Sequence, residues 1–356
     1  MSTRRRPRLA LTQGDPAGIG PEILLELLTA GRVSAELSWE PLLVGERAAF
    51  EALRPLHPRS IGIPWDRLRY LGGLPSSEEL DAIGRDGGIP VVDPVGMTRA
   101  ITFGDSGPAD AFGAMAALDA GMDLVRSGVA DALVTAPVSK SSIARQHLPG
   151  FKGHTDYLAE ACGLERYGRD YLMAFLAPEL QVALLTVHVP LREAIDTAVD
   201  GVSVGEALDC LHRHAGGRIA LAGLDPHAGE GGLLGEDDDR VLAPAVAAAR
   251  GRGIDVRGPE SADSLFARAR RGEFDWVMAL YHDQGLIAVK TAAFGLATNW
   301  TLGLPFLRTS VDHGTAFPLA GKGLADAQPM VEVVATTLGL IDGTLPKKTP
   351  SPTLPR

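Results

Sequence analysis

Apolar residues gather in short solid runs rather than in alternation. Residues 9–12, 41–44, 131–135, 182–187, 219–224 and 276–280 are such runs, and each leads into a polar or glycine-containing turn. Solid runs of this length predict strands covered on both faces, the habit of parallel sheets. Between them the apolar spacing turns helical, from about residue 23 to 28, from 110 to 127 and from about 240 to 250. Pro21 suits a first helical position. Gly153 to Glu160 reads as a loop opening a helix, with Thr155 as its N-cap and Leu158 on the buried face. Strand, helix and strand in this rhythm predict βαβ units and an α/β fold. Residues 55–100 mix Pro, Gly and brief apolar runs and predict short strands and loops. Residues 343–356, rich in Pro, Thr and Lys, predict a disordered tail.

A chain of 356 residues is long for one domain, so two are expected. Hydrophobic residues make up 45%, enough for large cores. The net charge of −10 argues against a broad nucleic-acid surface, though not against a locally basic pocket. Cys162 and Cys210 form no CxxC pair and read as small buried hydrophobes in a reducing compartment. The basic N-terminus precedes an apolar run too short for a signal peptide, and no run reaches membrane-spanning length. A cytoplasmic protein without membrane contact is expected.

Chemistry concentrates at strand ends. His188, His227 and His282 each follow an apolar run immediately or within three residues. Ends of parallel strands lie along one sheet edge, so distant histidines can converge there. Three imidazoles with open positions can bind a divalent ion, which acts as a Lewis acid on a hydroxyl. From Tyr281 to Thr315 the chain also carries Lys290, Asn299 and Arg308, cations and an amide suited to an anionic, hydroxylated small molecule. Gly14-Asp15-Pro16-Ala17-Gly18-Ile19-Gly20 follows the first strand. It is neither a P-loop nor a dinucleotide fingerprint, and reads either as an anion-approaching turn or as a tight turn with positive φ. The acidic run from Glu236 to Asp239 reads as a complement to a helix N-terminus. His57, His147, His212 and His214 read as surface or capping residues.

Several ordered motifs together resemble the 4-hydroxythreonine-4-phosphate dehydrogenase family of pyridoxal 5′-phosphate biosynthesis, from Gly14 to about Ala327. They are the Gly14–Glu22 turn, Thr135-Ala136-Pro137-Val138-Ser139-Lys140, Gly153-His154-Thr155-Asp156, the segment 186–191, Pro226-His227-Ala228-Gly229-Glu230, Tyr281-His282-Asp283-Gln284-Gly285 and the segment 302–316. The resemblance implies an isocitrate/isopropylmalate-dehydrogenase-like fold. It has two α/β domains with a cleft between them: residues 1–140 with 305–342 on the nucleotide side, and 141–304 on the metal and dimer side. It implies a homodimer with its active site at the subunit interface. It also implies metal ligation by His188, His227 and His282, with zinc, magnesium or cobalt as the divalent ion. Substrate binding falls to His154, Thr155, Lys290, Asn299 and Arg308, and catalytic work to Asp263, Asp283 and Lys290. The loop His313-Gly314-Thr315 resembles the one that receives NAD or NADP.

The implied reaction oxidises 4-phosphooxy-L-threonine to a β-keto acid that decarboxylates to 3-amino-2-oxopropyl phosphate. Two departures from the family pattern bear on this: Asp225 stands where Asn is usual, and Pro318 where Asp is usual. They leave open related dehydrogenases of 4-phospho-D-threonate, 4-phospho-D-erythronate or aromatic dihydrodiols. A metal-dependent hydrolase is the alternative of another class.

Overall fold

The computed structural model describes residues 5–29, 38–56 and 62–345. His57 and most of the expected tail, residues 346–356, lie outside them. The strands, in chain order, begin with β1 (Arg8–Thr12), β2 (Glu40–Val44), β3 (Leu68–Leu71), β4 (Ile89–Val92) and β5 (Ala132–Thr135). They continue with β6 (Leu172–Leu176), β7 (Gln181–Leu184), β8 (Ile219–Ala222), β9 (Val256–Glu260), β10 (Trp276–Ala279), β11 (Thr298–Leu302) and β12 (Leu307–Val311). The fold is mixed α/β, and the chain divides into two compact units.

The first unit comprises Met1–Leu158 and Pro305–Gly343. Its strands run β3-β4-β2-β1-β5-β12, all parallel. Leu9, Ala10, Leu11, Leu133 and Val134 are fully buried, as strands covered on both faces must be. The helix Gly20–Leu27 is buried along its whole length, including Glu22. The Glu22 carboxylate accepts N–H bonds from Gly321 (3.0 Å) and Ala325 (3.3 Å), which fastens the chain after the 313–315 loop to this helix. Pro21 takes the second helical position rather than the first, because the helix opens one residue earlier. The unresolved-by-pattern stretch 55–100 contains β3, the helix Ser77–Arg85 and β4.

The second unit comprises Ala159–Leu304 and Thr344–Arg356. Its strands run β11-β6-β7-β10-β8-β9. The last four are parallel, but β6 pairs antiparallel with both β11 and β7. The β6–β7 connection is a short turn, which permits only an antiparallel pairing. Its core includes Phe175, Val182, Leu184, Val277, Ala279 and Leu286.

Three expectations need correction. β7 stops at Leu184, so His188 lies four residues beyond the strand rather than next to it. The helix expected near residue 240 begins as a π-helical turn, Asp238–Leu242, followed by the helix Ala243–Gly251. Asp238 is fully buried there and accepts N–H bonds from Leu224 (2.9 Å) and Asp225 (2.8 Å); it ties down the loop after β8. Thr155 lies inside the helix His154–Ala161 and is not its N-cap. His147 caps the helix Lys140–Gln146, and His212 and His214 occupy the last turn of the helix Gly201–Ala215. Neither cysteine is in a disulfide; Cys210 is buried and Cys162 partly so. Among the described residues no helix is long and apolar enough to cross a membrane.

Candidate functional site

The order β7-β10-β8 places the chain segments that carry His188, His282 and His227 on three adjacent parallel strands. His282 belongs to the middle one. Beyond β7 the chain stays tied to β10: Leu185 N–H donates to Ala279 O (2.8 Å), and Thr186 Oγ1 donates to Leu280 O (2.8 Å). The His188 and His282 rings lie 5.7 Å apart, centroid to centroid. Gln284 links the β10 end to the β8 end, accepting from Leu280 N–H (2.7 Å) and donating to Gly223 O (2.9 Å). Among the described residues no three His, Cys, Asp or Glu side chains already converge on one ion position. His282 Nδ1 lies 2.8 Å from Asp283 Oδ1, which leaves its Nε2 for another partner. The donor set, three imidazoles on the segments that follow neighbouring strands, suits a divalent ion in type.

His227 sits on a strained backbone. Among the described residues, the non-glycine positions with positive φ are His227 (54°), Ala228 (51°), Glu230 (44°) and Ala316 (42°). All four lie in two of the motifs picked out above. Left-handed backbone costs an L-residue about 1–2 kcal/mol, and such outliers cluster where function fixes the chain. Packing enforces the turn: a Cβ on Gly229 would meet Gly235 O at 2.6 Å, and one on Gly235 would meet Asp225 Oδ2 at 1.7 Å. Asp225 is pushed up in pKa by burial and by neighbouring Asp238 and Asp237.

Asp263 and Asp283 line one cavity of 610 Å³, with Tyr281, Gln284 and Arg270. Asp263 is held below the usual carboxylate range, chiefly by the Ser261 hydroxyl (2.7 Å), with His227 contributing. Lys290 is exposed on the helix His282–Ala293. Asn299 lies on β11, and its Oδ1 is sealed from solvent without a hydrogen-bond donor among the described residues.

The first unit holds the rest. Arg308, on β12, is 1% exposed. It donates from Nη2 to Thr135 Oγ1 (2.7 Å) and from Nη1 to Thr155 Oγ1 (3.5 Å). Burial pushes its guanidinium down to about 9, still protonated at neutral pH. His154 is held well below its ordinary pKa by burial, then by the charges of Arg308 and Lys140. It is therefore neutral, and its Nε2 is sealed from solvent with no partner among the described residues. Lys140 is itself lowered by burial, against the opposing charge of Asp156. A Cβ on Gly153 would stand 3.0 Å from Lys140 Cε, so the glycine lets this side chain lie against the helix start. Two cations, two threonine hydroxyls and a neutral imidazole thus share one place.

The glycine-rich turn is tightly packed. Gly14 has φ 68°, and a Cβ there would lie 2.2 Å from Pro137 O. A Cβ on Gly20 would lie 1.9 Å from Gln13 O. Asp15, pushed up in pKa by burial, accepts from Ala17 N–H (3.0 Å) and Ser106 Oγ (2.8 Å). The turn also carries the expected cofactor loop, since Ile19 N–H donates to Thr315 O (3.1 Å). Gly314, by contrast, faces open space, and His313 Nδ1 contacts Gly314 O at 3.0 Å.

His154, Thr155 and Arg308 are therefore brought together in one unit, as are His188 and His282 in the other. Lys290, Asn299, His188, His227 and His282 belong to the second unit. Sequence reasoning assigned no role to Thr135 or Lys140, although both lie in a quoted motif. The available signal was a threonine closing a solid apolar run at the C-terminal end of a strand.

Comparison with known proteins adds the following. The family model described as pyridoxal phosphate biosynthetic protein PdxA matches residues 47–337. A 4-hydroxythreonine-4-phosphate dehydrogenase from Acidithiobacillus ferrooxidans is 40% identical over 343 residues, covering 92% of this chain and 94% of that protein. The crystal structure of 4-hydroxythreonine-4-phosphate dehydrogenase from Klebsiella pneumoniae is 31% identical with a TM-score of 0.78, covering 96% of this chain and 99% of that one. A terephthalate 1,2-cis-dihydrodiol dehydrogenase from Burkholderia xenovorans LB400 is 26% identical with a TM-score of 0.59, covering 96% and 99%.

Proposed function

The chain belongs to the PdxA family of pyridoxal phosphate biosynthetic proteins, and from that premise we propose that it is a 4-hydroxythreonine-4-phosphate dehydrogenase. In this reading it oxidises 4-phosphooxy-L-threonine with NAD or NADP. The observation that carries it is the buried Arg308 beside Thr135, Thr155, His154 and Lys140. Burying a guanidinium costs stability, and perturbed titratable groups of this kind mark functional sites. A substrate phosphate or carboxylate is the partner that such a site suits, because Arg binds oxyanions bidentately.

The C3–H bond of the substrate would give up a hydride to the nicotinamide, and the C3 hydroxyl its proton to a base, leaving a ketone at C3. The β-keto acid so formed would lose CO₂, since the electron pair left behind is delocalised as an enolate, and give 3-amino-2-oxopropyl phosphate. Arg308, Lys140 and the Thr155 hydroxyl would hold the charged end. His154, kept neutral, would offer a hydrogen bond through Nε2 without adding charge. A divalent ion held by His188, His227 and His282 would supply Lewis-acid chemistry to the substrate oxygen. Asp263, Asp283, Lys290 and Asn299 are assigned by motif correspondence, and the open face of Gly314 supports the cofactor loop at His313 to Thr315.

A homodimer with an interface active site is proposed on the same correspondence. Light scattering that shows an active monomer would count against it. The main test is nicotinamide reduction at 340 nm, roughly the NAD(P)H band, across phosphorylated hydroxy acids and an aromatic cis-dihydrodiol, with and without chelator. Turnover of 4-phosphooxy-L-threonine that chelator abolishes is expected. Absence of any nicotinamide-linked turnover, or preference for the dihydrodiol, would overturn the reading.

A further inference from the structure

The N-terminal ends of β1, β2, β3 and β4 surround a cavity of 530 Å³ in the first unit. It lies at the opposite strand ends from the Gly14 turn. Arg5, Arg6, Arg8, Arg67 and Arg85 line it, against the two carboxylates of Glu40 and Asp81. The lining thus carries an excess of three positive charges, in a chain whose net charge is −10. Asp131, which pairs with Arg5 at 3.0 Å, reduces the excess to two.

The arrangement is built. Arg8 is 1% exposed and forms the floor, donating to Glu40 (2.7 Å) and Asp81 (2.6 Å). Those carboxylates are thereby committed to Arg8. Arg67 is oriented by its Nε–H bond to Gly87 O (2.6 Å). Arg6 and Arg85 are exposed and pair with no carboxylate among the described residues. Arg85 closes the helix Ser77–Arg85, where a cation suits the helix dipole, but that accounts for neither Arg6 nor Arg67. Guanidinium groups lining one cavity repel one another, and an anion bridging their forks relieves the repulsion.

We propose that this cavity is a second anion site, which takes a diphosphate group. Two linked phosphate groups can reach guanidinium groups on more than one side of the cavity, and its 530 Å³ falls in the range of small-molecule sites. Diphosphate chemistry is available from free pyrophosphate or from a nucleoside diphosphate. The site is distinct from the Arg308 cluster and does not depend on the activity proposed above.

The test is isothermal titration of the full chain with pyrophosphate, and separately with ADP, at low and at physiological salt. Arg6→Glu, Arg85→Glu and their double variant are compared with Arg250→Glu, an exposed arginine of the second unit. Saturable binding by the parent is expected, about tenfold weaker or more in each of the two single variants. The double variant should bind no diphosphate, and Arg250→Glu should bind as the parent. Arg6→Gln and Arg85→Gln should show the same order with smaller losses. Tighter ADP than pyrophosphate binding would identify a nucleotide as the source, and equal binding the free anion. No saturable binding at low salt would overturn the proposal. So would parent-like affinity in the double variant, which would place the anion elsewhere.

Discussion

Replacing Arg308 with Met should make the protein less active and no less stable. Met keeps an unbranched apolar stem in the site and removes the charge. On the stability side, burial moves the guanidinium from 12.5 to about 9, which corresponds to about 5 kcal/mol of lost solvation. Against this stand the hydrogen bonds to Thr135 and Thr155. Leaving buried hydroxyls without their donor costs about 1–3 kcal/mol in total if one of them finds no substitute. The balance favours the variant by about 2–4 kcal/mol, a melting temperature higher by several degrees. On the activity side, one charge-assisted contact to a substrate anion contributes about 1.5–3 kcal/mol. Its loss should lower kcat/KM by roughly one to two orders of magnitude. Arg308→Lys should recover only part, because a point charge does not reproduce the fork. Metal content should not change. Calorimetry, the nicotinamide assay and elemental analysis read the three quantities. A variant that melts well below the parent yet keeps its kcat/KM would show that Arg308 is a packing residue, and the reasoning would fail.

His282→Ala should lose most bound divalent ion, measured by elemental analysis, while its melting temperature stays near the parent's; full occupancy would remove the ligand assignment. Ala228→Gly should raise the denaturant midpoint by the equivalent of about 0.5–1 kcal/mol, since φ 51° strains alanine and not glycine; a lowered midpoint would contradict the strain argument. The buried neutral His154 should cost stability on acidification. Its folded pKa lies below the unfolded value of 6.5, so the unfolded chain binds the extra proton as pH falls below 6.5. The loss is at most about 1.4 kcal/mol per pH unit, and it should be smaller in His154→Gln; identical pH slopes in the two proteins would refute it.

What the sequence determined by itself is local. Solid apolar runs such as 9–12, 132–135 and 276–279 specify buried strands, because only a strand covered on both faces hides every side chain. Polar residues closing those runs marked where the strands end, and His282, His188 and His227 lie in the segments just beyond those ends. The glycine-rich turn from Gly14 to Gly20 was legible in the sequence, and its packing against Pro137 O and Gln13 O only in the structure. Tertiary structure alone decided the rest. Nothing in the sequence puts β10 between β7 and β8, since strand order comes from how helices cover a sheet and not from any one strand. Nor does a lone arginine reveal its burial: Arg308 and Arg8 are both 1% exposed, one among hydroxyls and one between carboxylates. Those partners lie 153 and 173 residues away in one case and 32 and 73 in the other. Such separations leave no periodic trace in the chain, because charge and hydrogen bonding act through space and pattern acts only along the backbone.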